Sequence, residues 1–133
     1  MSWHRFLGKT YLAAVLCSGA AALYIAMFAN GGIVSVVGFG GLAMAWLFTT
    51  AQAYIAIRKK EIDSHQYWMI RSYALCFAAV TLRIWLPLFQ LGLHMDFMEA
   101  YRIIAWLCWV PNLIVAEIIV RNIRASRLAT RRA

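Results

Sequence analysis

The sequence predicts an all-α fold: a polytopic membrane protein with four transmembrane helices in an up-down bundle and both termini in the cytoplasm. Three observations predict it. Hydrophobic residues make up 64% of the 133, where soluble domains hold about 45–50%. They gather into four blocks, each long enough to cross a ~30 Å hydrocarbon core at about 1.5 Å per residue. Ten of the thirteen Lys and Arg then lie on one side of these blocks: Arg5 and Lys9, Arg58 to Lys60, and Arg121 to Arg132. The positive-inside rule puts that side in the cytoplasm. The chain therefore reads as one transmembrane domain, 1–133, with helices at about 8–29, 33–58, 66–90 and 99–122.

The first block follows Arg5 and Lys9, as a signal peptide would, but exceeds the usual ~7–15-residue apolar core and is expected to be retained. Its Ala14, Ser18, Ala22 and Ala26 recur every fourth residue, a stripe that lets helices approach closely. Asn30-Gly31-Gly32 predicts the first outer turn, and Gly38, Gly40 and Gly41 mark the second helix. The basic Arg58-Lys59-Lys60 predicts the inner turn. Pro87 is expected to end or kink the third helix, and Pro111 to loosen a turn of the fourth. Trp3, Trp68, Trp85 and Tyr101 fall where interfacial belt aromatics belong. A faint echo links His4…Lys9-Thr10-Tyr11 to His65…Arg71-Ser72-Tyr73, as a duplicated hairpin would.

Residues 65–83, HQYWMIRSYALCFAAVTLR, carry the strongest constraint. Two arginines lie in an apolar run, where an unpaired one is costly. At about 100° per residue, His65, Ser72, Cys76, Ala79 and Arg83 share one face, while Arg71 points elsewhere. Glu117 stands four residues before Arg121, at the depth of Arg71, which predicts an Arg71–Glu117 ion pair. Arg83 has three candidate partners: Trp106 or Trp109, the outer Asp96 or Glu99, or an anionic ligand. Ser72, Thr81 and Asn112 are expected to be buried polar groups needing partners.

His4 and His65 both open outward-going helices, the arrangement that an axial pair on haem b requires. A quinone carbonyl would instead take donors at the same level, from His65, Tyr67, Arg71 or Tyr73. His4, His65, Tyr73 and Arg83 are thus the candidate residues for haem or quinone. The three cysteines sit in separate blocks and suggest neither disulfides nor a metal site. Nucleotide, zinc-protease and nucleophile motifs are missing, which argues against soluble-type enzymology. The basic residues flank helix ends, which argues against nucleic acid as a partner.

The third-helix string, the opening HRFLGKTY, the GFGGLAMAWLFTTAQAYIAIRKKEIDSHQYWM stretch and the closing WLCWVPNLIVAE resemble the bacterial family named domain of unknown function 2306 (DUF2306). The resemblance covers almost the whole chain. It implies a small four-helix inner-membrane protein and implies no reaction. The matching positions are His4, Arg5, Gly8, His65, Trp68, Met69, Arg71, Ser72, Tyr73, Thr81, Arg83, Asn112 and Glu117. Three functions stay open. The first is a non-enzymatic bundle in the lipid bilayer, acting alone or as an accessory subunit among other membrane subunits. The second is a haem b or quinone electron-transfer protein. The third is a small transporter working as a homodimer, with Arg83 and Asn112 in its cavity.

Overall fold

The computed structural model describes residues 2–132. It is all-helical, with α1 at Ser2–Ala26, α2 at Ile33–Arg58, α3 at Ile62–Cys76 and α4 at Ala78–Pro87. A π-helical turn follows at Leu88–Gly92, then α5 at Phe97–Leu107 and α6 at Val110–Arg132. α3, α4 and the π-turn make one apolar run, and α5 and α6 another. With α1 and α2 they give four helices long and apolar enough to cross a membrane. Short turns force each run to reverse the one before it.

The turns obey local chemistry. Gly31 and Gly32, at φ 97° and 79°, close the first with a conformation that side chains resist. At the basic end, Glu61 N–H reaches Ala56 O and Lys60 N–H reaches Ile57 O, both at 3.0 Å, with Lys60 at φ 62°. This is a Schellman closure, with lysine in the place glycine usually takes. The far turn ends at Asp96, whose carboxylate accepts from Met98 N–H at 3.3 Å and caps α5.

Helix ends differ most from expectation at the start of α1 and the end of α6; α1 also stops at Ala26, and α3 starts at Ile62. α1 begins at Ser2 and takes in His4. α6 runs on to Arg132 because its arginines find partners on α3: Arg127 pairs with Asp63 and Gln66, and Arg124 lies 4.7 Å over the Tyr67 ring.

The third and fourth runs are each interrupted at mid-depth. Phe77 parts α3 from α4 where Asn112 Nδ2 donates to the Ala74 carbonyl at 3.2 Å and to Thr81 Oγ1 at 2.9 Å. A side chain has entered the helical ladder there, which is a known cause of a break. In the fourth run Pro111 removes an N–H, and the Trp109 indole donates to Ala105 O at 3.0 Å. Pro87 ends α4 as expected, and the chain continues as the π-turn.

α2 is the central element. It packs on α1, α3 and α5, while α3 packs on α6 and α4 on α5. Among the described residues α1 lies lengthwise on α2 alone. Its packed face is Val15, Gly19 and Ala26; Ala14 and Ser18 of the predicted stripe are exposed. Gly38 of α2 meets Ala105 so closely that an added Cβ would fall 3.0 Å from the Ala105 carbonyl oxygen. The far-end core is Ala78, Ala100, Ile104 and Cys108, ringed by Phe39, Leu82, Trp85 and Phe89.

Candidate functional site

Arg71 and Ser72 are neighbours about 100° apart around α3, so they address different helices. Ser72 faces α1 and α2. It is fully buried, with its hydroxyl 2.8 Å from Tyr11 Oη and 2.6 Å from Thr50 Oγ1. The Trp46 indole donates to the same Tyr11 oxygen at 3.5 Å. This knot joins α1, α2 and α3 where apolar packing gives little orientation. Ser72→Ala is expected to cost about 1 kcal/mol, the usual net worth of such a bond in a membrane. Unfolding in mixed detergent micelles measures it, and an unchanged midpoint would remove the knot from the list of fold determinants.

Arg71 faces α6. Its Nε and one Nη donate to Glu117 Oε2 at 3.0 and 2.7 Å, while Arg121 reaches Glu117 Oε1 at 3.4 Å. The guanidinium carbon lies 4.8 Å from the Trp68 ring centre. Such a cation over an indole face is attracted by the ring quadrupole. The Arg71 side chain is 14% exposed and that of Glu117 37%, so the pair is only partly withdrawn from its surroundings.

The pair closes one end of a cleft of about 410 Å³. α2 contributes Ala45, Phe48 and Thr49, and the joint before α6 contributes Trp109. Phe48 and Trp68 meet edge to face at 5.7 Å. Phe48 and Ile114 are more than half exposed, so the cleft opens sideways on the helix surface. Most of its polar groups are already engaged. The Thr49 hydroxyl donates to Trp46 O at 3.1 Å and the Trp109 indole to Ala105 O. The uncommitted capacity includes the second Nη of Arg71, the Trp68 indole N–H, the outer lone pairs of Glu117, and the Thr49 oxygen as acceptor. The cleft is thus apolar and aromatic along its walls, its two charged lining residues balance each other while the exposed Arg121 stands outside, and its end can both donate and accept.

The structure distributes the residues singled out from sequence. His65 Nδ1 lies 2.7 Å from the Ala53 carbonyl on α2; as donor it leaves Nε2 as the free nitrogen. Tyr73 packs tilted against Tyr11, ring centres 5.0 Å apart. His4 is exposed, as are all residues from Ser2 to Thr10 around it. Arg83 stands eighteen residues beyond His65, about 27 Å along the helix. Among the described residues the four do not converge on one point.

Arg83 is exposed, and among the described residues none pairs with it. Trp106 and Trp109 pack on each other at 5.8 Å, and Asp96 caps α5. The face predicted to run unbroken from His65 to Arg83 divides at Phe77: Ser72 is inside, whereas Cys76, Ala79 and Arg83 are exposed. Asn112 and Thr81 bond each other and are only partly buried. Phe48, Thr49 and Thr50 escaped sequence reasoning, and Tyr11 entered it only through the echo with Tyr73. They lie in helices apolar all round, where periodicity signals no facing direction.

No curated protein and no solved structure matches the chain. A family model described as a predicted membrane protein, DUF2306, matches residues 1–120, which contain the first three spans, the start of the fourth, the ion pair and the whole cleft; the chain belongs to that family.

Proposed function

We propose that the chain is a non-enzymatic protein of the bacterial inner membrane, both termini cytoplasmic, that holds a neutral ring compound of the quinone–quinol class. It acts alone or as an accessory subunit of a larger membrane complex. The observation that carries this is the Arg71–Glu117 pair at the end of an aromatic-walled, laterally open cleft. An anion there would meet Glu117 and a cation would meet Arg71, so the balanced pair favours an uncharged head. A quinone carbonyl can accept from the free Arg71 N–H, and a quinol hydroxyl can donate to Glu117. A flat ring fits between Phe48, Trp68 and Trp109, with its tail leaving toward lipid past Ile114.

Purification in mild detergent followed by solvent extraction tests this. Mass spectrometry and a reduction-sensitive ultraviolet spectrum should detect near-stoichiometric quinone. Ala45→Trp, which fills the cleft and leaves the ion pair intact, should lose it. A quinone-free extract from the wild type, or a Soret band in its place, would overturn the proposal. The same preparation should retain a protein partner if the chain is a subunit, and a clean single species would reject that part.

A further inference from the structure

The far half of the molecule carries a second groove, of about 540 Å³, whose charge differs from that of the first. It runs down α5 past Arg102, Ile103 and Trp106 to Val110 and Pro111, with Val34 of α2 as its opposite wall. From residue 102 to residue 111 is about 14 Å of helix. Arg102 sits at the upper end, five residues or about 8 Å into α5 from Phe97. Its Nε donates to the Gly31 carbonyl at 2.6 Å, latching the α1–α2 turn to α5 and fixing the guanidinium in place. Among the described residues no carboxylate pairs with it, so its charge is uncompensated, unlike that of Arg71. Both Nη groups remain, in the planar fork that matches phosphate oxygens. Below them every lining residue is apolar.

We infer that this groove seats one anionic phospholipid of the leaflet opposite the basic termini, its phosphate on Arg102 and an acyl chain along Ile103, Trp106 and Val110. A cation at headgroup level above an apolar trough complements a molecule with a phosphate at one end and hydrocarbon below. A neutral ring of the kind that suits the first cleft would leave the Arg102 charge unanswered. Bound lipid would also lie across the seam between α2 and α5, beside the Gly31 latch.

Native mass spectrometry of delipidated protein, titrated separately with phosphatidylglycerol, phosphatidylethanolamine and inorganic phosphate, tests the inference. One phosphatidylglycerol should bind at least tenfold more tightly than phosphatidylethanolamine, and inorganic phosphate should not displace it. Arg102→Gln should weaken the adduct at least tenfold. Val34→Trp should do the same by filling the trough while leaving Arg102 and its bond to Gly31 in place, which separates loss of the site from loss of the latch. Equal binding of both lipids, displacement by phosphate, or unchanged binding in Val34→Trp would each overturn the proposal.

Discussion

Arg71→Ala and Glu117→Ala are each expected to lower stability by about 2–3 kcal/mol, and the double variant to lose less than either single change. The bound lies between the ~0–1 kcal/mol of exposed pairs and the ~3–5 kcal/mol of broken buried ones, because Glu117 is 37% exposed while Arg71 is 14% exposed. Each single change strands a charge: Glu117 keeps only the exposed Arg121, and Arg71 keeps only the Trp68 face. Removing both strands only Arg121, which is 77% exposed, so the double-mutant cycle reports mainly the Arg71–Glu117 interaction. Arg71→Lys should retain part of the stability, since a lysine cannot reproduce the two-nitrogen contact with Oε2. Reversible unfolding in mixed micelles is the measurement. Additive losses in the double variant would show that the two side chains act independently.

Gly38→Leu is expected to cost about 3 kcal/mol, at the upper end of overpacking penalties. The obstacle is the Ala105 backbone carbonyl, 3.0 Å from an added Cβ, with the Ala105 Cβ equally near. Neither can rotate aside, so α2 and α5 must separate and expose the contact that buries Ser35 and Ala105. Gly40 supplies the control, because a Cβ there meets nothing within 4 Å. Gly40→Leu should therefore stay within about 0.5 kcal/mol of wild type. Equal effects at the two glycines would mean that α2 and α5 are not in close contact at Gly38.

Much of the fold was legible because a membrane admits few answers. Four apolar blocks and their lengths sufficed for the four spans, and Asn30-Gly31-Gly32 for the first turn. Arg71 and Glu117 could be matched across 46 residues because each could be counted inward from a charged helix end. What escaped depends on rotation and register among three helices at once. The break at Phe77 has no local cause in its own helix; Asn112 produces it from the fourth run. The stripe from His65 to Arg83 looked continuous because an unbroken helix was assumed. The cleft needed Phe48 of α2, Trp68 of α3 and Trp109 to converge, and nothing in a uniformly apolar helix says which way Phe48 turns. α1 misled in the same way: Ala14 and Ser18 have the right spacing for packing, yet Val15 and Gly19 do the packing.

That first helix also bears on biogenesis. Its lengthwise packing is with α2, the very next segment to leave the ribosome, so an α1–α2 hairpin needs nothing made later to bury Val15, Gly19 and Ala26. Tyr11 has the Trp46 indole of α2 at 3.5 Å from the outset, and its hydroxyl gains the shorter bond when α3 delivers Ser72. The remaining faces of α2 await α3 and α5 in turn, the Arg102 latch on Gly31 closes with α5, and the Arg71–Glu117 pair waits for α6. Assembly can thus follow synthesis from the amino end, each new span docking on one already in the bilayer.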